Sequence, residues 1–123
     1  MLAHVLACLP EEACGLVASD GQDSKEVYPI TNELHSTTRF RMDPVEQIEA
    51  IMDIEQRQLI LAGIFHSHPK GPSQPSARDI VEFAYPGVYT LLWYPLRNQW
   101  NCDCFLISSQ GVEKIDLPCY DKM

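Results

Sequence analysis

The chain has 123 residues, 46% of them apolar, and a formal net charge of −8, which is enough for one compact domain over residues 1–123 and too short for two. Nine Lys and Arg against seventeen Asp and Glu argue against a nucleic-acid partner, since phosphate binding draws on clustered cations, and favour a basic or neutral protein instead. Five cysteines without framework spacing point to reduced thiols and a cytoplasmic setting.

Met1 to Leu9 is apolar, lacks a basic leader region or cleavage site, and is too short to span a bilayer, so it predicts a short helix packed on a sheet. A strand at Gly15 to Ala18, a polar turn at Ser19 to Ser24 and a second strand at Glu26 to Ile30 predict a hairpin. Thr31 to Thr38 reads as a loop and Arg39 to Met42 as a short strand. Asp43-Pro44 then supplies an N-cap acid with proline at the first helical position. Val45, Ile48, Ile51, Met52 and Ile54 give that helix an apolar face. Leu59 to Phe65 is a buried strand, and a helix runs from Ser76 to about Ala84. Val88 to Tyr94, Cys102 to Ser108 and Val112 to Ile115 close the sheet, with turns at Asn98 to Trp100 and Ser109 to Gly111. The class is α/β, mixed, with a largely antiparallel central sheet flanked by helices. No internal repeat or linker interrupts it.

The chemistry concentrates after the buried strand, in His66-Ser67-His68, followed by Ser76 after seven residues and by Asp79. Positions two apart on a strand share a side, so His66 and His68 project together. The loop from Pro69 to Pro75 can bring Asp79 back beside them. Two neutral imidazoles and a carboxylate are the ligand set of a catalytic zinc that keeps one position open for water. Ser76-Ala77-Arg78-Asp79 also fits a helix capping box; the two readings are compatible, with Ser76 capping while Asp79, one turn in, faces the metal.

Other assignments fit less well. There is no H-E-x-x-H, and the H-x-E with P-C-x-x-C of the zinc deaminases is missing. Cys102-Asp103-Cys104 reads as two small buried side chains on one strand face. Cys8, Cys14 and Cys119 are scattered, and His4 and His35 are isolated. A base for hydrolysis must come from elsewhere; Glu11 and Glu12, just before the first strand, are the candidates.

Glu, a long gap, His-Ser-His, seven residues, Ser, two residues, Asp resembles the pattern of the JAMM metalloproteases (MPN-plus, Mov34/PAD-1), whose fold shares an architecture with the deaminases. The match spans Glu12 to Asp79. In that family the catalytic acid stands in a frame like E-x-C-G, which Glu12-Ala13-Cys14-Gly15 fits and Glu11 does not. The resemblance implies one Zn2+ per chain on His66, His68 and Asp79, Glu12 as proton acceptor, and Ser76 as hydrogen-bond donor to the oxyanion. Ser67, on the opposite strand face, would support the fold.

Short loops after the motif leave little room for the ubiquitin-holding insertions of eukaryotic relatives, so the chain is most similar to the minimal prokaryotic branch. That implies a zinc peptidase or isopeptidase acting at the C-terminal Gly-Gly tail of a ubiquitin-like or sulfur-carrier protein. The alternative is a metal-free MPN-type binding module, although such relatives lack one or more of these residues. Cleavage of an isopeptide, trimming of a precursor and release of a loaded amino acid all stay open, as does the oligomeric state. Lys70 and Arg78 read as solvated charges, with contact to acidic groups of a substrate as the alternative.

Overall fold

The computed structural model describes residues 1–116, and in them the apolar runs become one sheet with helices on both sides. The elements are α1 (Leu2–Cys8), β1 (Cys14–Ser19), β2 (Ser24–Ile30), α2 (Pro44–Gln56), β3 (Ile60–Ser67), α3 (Ala77–Val81), β4 (Tyr89–Leu96), β5 (Gln99–Ser108) and β6 (Gly111–Ile115). The strand order is β2-β1-β3-β4-β5-β6. Among the described residues the pairings are antiparallel except β3 with β4, so the expected class holds. A parallel pair needs a long crossover. Residues 68–88 supply it and carry the second half of the histidine motif.

Strand alternation separates two faces. Val17 and Phe65 point towards α1 and pack with Val5, Ala13 and Trp93. Cys14, Leu16 and Ile64 point the other way, where Ala50 of α2 and Met42 meet them. On this second face Leu92, Tyr94 and Phe105 form a further buried cluster towards β5.

Several expectations are corrected. Arg39 to Met42 is not a strand; only an isolated bridge joins Met42 to Asn32. The Asn32 side chain takes the backbone bonds instead, donating to Arg39 O (2.9 Å) and accepting from Arg41 N–H (3.1 Å). Helix α2 begins as predicted, with Asp43 accepting from Val45 and Glu46 N–H at 3.0 Å each. Its buried stripe, however, is Ala50 and Ile54, while Val45, Ile48 and Met52 are more than half exposed. The small Ala50 lets the helix lie close to the sheet, and that choice rotates the larger side chains outward.

Helix α3 ends at Val81 rather than near Ala84, because Phe83 and Tyr85 turn down onto the core. The β4–β5 turn is Arg97-Asn98, both with positive φ (54° and 63°), as a two-residue hairpin requires; Gln99 and Trp100 belong to β5. Cys8, Cys14 and Cys104 are free thiols, but Cys102 is disulfide-bonded. The expectation of reduced thiols is therefore corrected there, since an odd count excludes complete pairing and not a single bond. Cys119 lies outside the described residues. No helix among them is long and apolar enough to cross a membrane.

Candidate metal centre

Strand β3 is fixed between β1 and β4 at its carboxyl end, with His66 opposite Cys14 on one side and Leu92 on the other. His68 N–H donates to Trp93 O (2.9 Å), which extends the strand geometry one residue further. Both imidazoles therefore project from one face, with ring centroids 5.0 Å apart. They are 2% and 4% exposed.

The crossover returns Asp79 to them through the cap of α3. Ser76 Oγ accepts from Asp79 N–H (3.0 Å), and Asp79 Oδ2 accepts from Ser76 N–H (2.8 Å). The same Oδ2 lies 3.1 Å from both His66 Nε2 and His68 Nε2. The cap is present as expected, and it aims the carboxylate at the two histidines.

The tautomers decide what this cluster can hold. His68 Nδ1–H donates to Pro72 O (2.9 Å), so a neutral His68 turns a bare Nε2 lone pair towards a carboxylate oxygen. Two acceptors at that distance repel unless a proton or a cation sits between them. The ligand-type atoms of His66, His68 and Asp79 all lie within 4.8 Å of one another. Buried nitrogen donors and one carboxylate suit a borderline-soft divalent ion, with the Pro72 carbonyl fixing one ring from behind. The residues fit a metal.

Electrostatics agree. Burial would raise the Asp79 carboxyl, but the two imidazoles and Ser76 N–H hold it well below the usual carboxylate range. Burial lowers His66. For His68 burial is outweighed by Asp79 and the Pro72 carbonyl, which leave it raised. The difference follows first from the deeper burial of His66 and then from Pro72 and Glu12, which favour protonation of His68 alone.

Glu12 reaches the same place from far upstream. Continuing the Cys14–His66 register puts Glu12 opposite His68, and Ser67 N–H donates to Ala13 O (3.1 Å) along that line. Glu12 is 3% exposed and its Oε1 has no hydrogen-bond partner. Burial pushes its carboxyl up to about 7, with His68 pulling down and Asp79 pushing up. Glu11 instead lies at the surface, 3.2 Å from His35 Nδ1. Only Glu12 is brought to the cluster.

Four residues support the set, and Ser67, expected to serve the fold, is the one that the sequence motif contains. Ser67 Oγ accepts from Ala13 N–H (2.8 Å), so the serine between the histidines clamps the residue next to Glu12. Asn32 Nδ2 donates to Glu12 O (3.0 Å). Phe40 stacks on the His66 ring, with centroids 4.6 Å apart and planes at 24°. Pro72 is the fourth, through the His68 bond above. Strand alternation does place Ser67 on the Ala13 side of the sheet; nothing local marks the other three.

A cavity of about 220 Å3 opens beside His66 and Asp79, walled by apolar side chains including Met42, Phe83 and Ile107. A buried histidine pair and carboxylate stand with a buried, unpaired glutamate beside a cavity, a set that could hold a metal ion. The chain belongs to the prokaryotic homologs of the JAB domain, whose family model matches residues 1–108.

Among its relatives is a probable TtuB-protein conjugate cleaving protease of Thermus thermophilus, 38% identical over 90 residues, which are 72% of this chain and 60% of that protein. A CysO-cysteine peptidase of Mycobacterium tuberculosis is 33% identical over 94 residues, 75% of this chain and 64% of that one. The chain thus spans less than two thirds of both curated relatives. A solution structure of a protein from Desulfitobacterium hafniense superposes with a TM-score of 0.85 at 36% identity, covering 100% of this chain and 88% of the other.

Proposed function

We propose that this chain is a zinc-dependent peptidase or isopeptidase that hydrolyses an amide bond at the C-terminal Gly-Gly tail of a ubiquitin-like or sulfur-carrier protein. The observation that carries the reading is the convergence of His66, His68 and Asp79 beside a buried glutamate whose Oε1 lacks any partner. His66 Nε2, His68 Nε2 and the Asp79 carboxylate would hold one Zn2+. When bound, zinc supplies Lewis acidity that polarises a carbonyl and acidifies water.

Glu12 Oε1 accepts the proton of the attacking water and returns it to the departing amine nitrogen. A carboxyl with a pKa of about 7 can do both near neutral pH. Ser76 Oγ already accepts from Asp79 N–H; its own hydroxyl proton stays available to the oxyanion that forms on the scissile carbonyl. Ser67 and Asn32 hold the Glu12–Ala13 peptide from its N–H and from its carbonyl.

The substrate class rests on resemblance: one relative is named for cleaving a protein conjugate and another is a CysO-cysteine peptidase. Extended glycines suit a tail that must pass close to buried ligands, because they have no side chain to clear. The same reading takes residues 1–123 as one such domain working in the cytoplasm.

Metal analysis tests the proposal. The purified chain should take up zinc at near one equivalent, and His68→Ala should lose it. Failure to bind zinc even on reconstitution would overturn catalysis in favour of a metal-free binding module.

A further inference from the structure

The cavity beside His66 and Asp79 has no counterpart in a Gly-Gly tail, since glycine brings no side chain to fill it. Its floor lies on the histidine face of the sheet: Ile64 pairs with Thr90, and Thr90 with Phe105, one step below His66. Ile64, Thr90 and Ile107 line it from the sheet, and Met42, Phe83 and Tyr85 from the segments above. Thr90 is 3% exposed, and its hydroxyl has no hydrogen-bond partner. Buried unpaired polar groups are rare in folded proteins and mark places where a ligand or water completes the set.

In a chain of net charge −8, two arginines, Arg41 and Arg78, are among the residues that line this one cavity. Arg41 Nε donates to the half-buried Glu33 (2.6 Å) and Arg78 Nη1 to Glu82 (3.3 Å), with both arginines exposed. A guanidinium carries five N–H donors, so both keep donors free, and exposed pairs of this kind exchange partners at little cost. Glu82 also borders the cavity and disfavours an acidic side chain there.

We infer that this cavity receives the residue that leaves: a single C-terminal amino acid with an apolar side chain, whose α-carboxylate meets Arg41 and Arg78. The inference rests on the peptidase reading above and narrows it to release of one amino acid after Gly-Gly. The water oxygen bonds to the glycyl carbonyl carbon, the C–N bond breaks, and the water's proton goes to the departing amine. An isopeptide-linked lysine would bring an alkyl chain to the same place with no carboxylate for the two arginines.

The test uses the zinc-loaded chain and peptides ending in Gly-Gly-Leu, as free acid and as C-terminal amide, with Gly-Gly-Gly and a Gly-Gly-lysine isopeptide beside them. The Gly-Gly-Leu acid should show kcat/KM about tenfold above its amide, from charge-assisted hydrogen bonds, and about tenfold above Gly-Gly-Gly, from the filled cavity. Arg41→Gln and Arg78→Gln should lower the rate on the acid and leave the amide unchanged. A second readout needs no turnover: free leucine, unlike leucinamide, should shift the methyl signals of Thr90 and Ile64.

Equal cleavage of acid and amide, or absence of the leucine shifts, overturns the inference while the peptidase reading stands. If no substrate of the set is cut, the peptidase reading falls, and the leucine titration alone decides the cavity.

Discussion

The two faces of the sheet are built to different rules. On the α1 side Val5, Ala13 and Phe65 are fully buried and close-packed. A Cβ added at Gly15 would collide with the Phe65 ring and with Tyr28 O, so the ring occupies the space a side chain would need. The other side leaves a cavity, an unpaired Thr90 hydroxyl and an unpaired Glu12 oxygen near His66, His68 and Asp79. Helix α3, which aims Asp79, buries no residue at all; its cap and its two histidine contacts hold it. The packed face also buries one unpaired group, Trp93 Nε1; what sets the histidine face apart is that Thr90 Oγ1 lines a cavity there and Glu12 Oε1 lies by the cluster of His66, His68 and Asp79.

The comparison breaks most sharply at Glu12. Glu12→Gln should lower kcat by about 10^2 to 10^4 while zinc stays bound, the range expected for loss of a general base; unchanged turnover would move the base elsewhere. The same variant should stabilise the metal-free fold. The folded pKa of Glu12 is about 7 against an ordinary 4.5, chiefly from burial, with His68 opposing and Asp79 adding. The fold therefore favours the neutral carboxyl. Its contribution is fully present below pH 4.5 and is lost as pH rises through about 7. At pH near 8 Gln should gain up to about 3 kcal/mol in urea unfolding, and at pH near 5 most of that gain should vanish.

On the packed face the effect is purely structural. Phe65→Ala should cost about 4 kcal/mol, transfer and cavity terms together, read from the denaturant midpoint at constant slope. A loss below about 1 kcal/mol would show that this face is not the rigid partner.

How far the sequence reaches can be seen in these same residues. His66, His68, Ser76 and Asp79 were legible because strand alternation and a helix cap are local rules, and both survive in the fold. Glu12 was legible only through its frame before Cys14-Gly15. The start of α2 was local too, in Asp43-Pro44, but its orientation was not. Val45, Ile48 and Met52 together with Ile51 and Ile54 span too wide an arc to choose a face, and the small Ala50 chose it. Asn32 and Phe40 act on Glu12 and His66 across 20 and 26 positions of sequence. No periodicity encodes such contacts.

Ser76 joins the two kinds of effect. Ser76→Ala removes the cap of α3 and, on the proposed reading, the oxyanion donor at once. It should lower kcat by about 3 kcal/mol of transition-state stabilisation, with little change in KM, and cost about 1 kcal/mol in folding. Ser76→Asp would restore a capping acceptor without restoring the donor. Rescue of stability with no rescue of kcat would separate the roles; rescue of both would assign Ser76 to the cap alone.

Thr90 gives the smallest effect and the most direct test of the asymmetry. Valine copies its shape and removes the hydroxyl that lacks a partner. If the open face carries that group only for a ligand, Thr90→Val should stabilise the free protein by about 1 kcal/mol, because an unmade buried hydrogen bond is relieved. The variant should at the same time bind leucine more weakly. A structural hydroxyl would behave the other way, with stability lost on removal and leucine binding untouched. Opposite signs in the two measurements would place Thr90 among the groups that trade stability for function, on the face where Glu12 already does so.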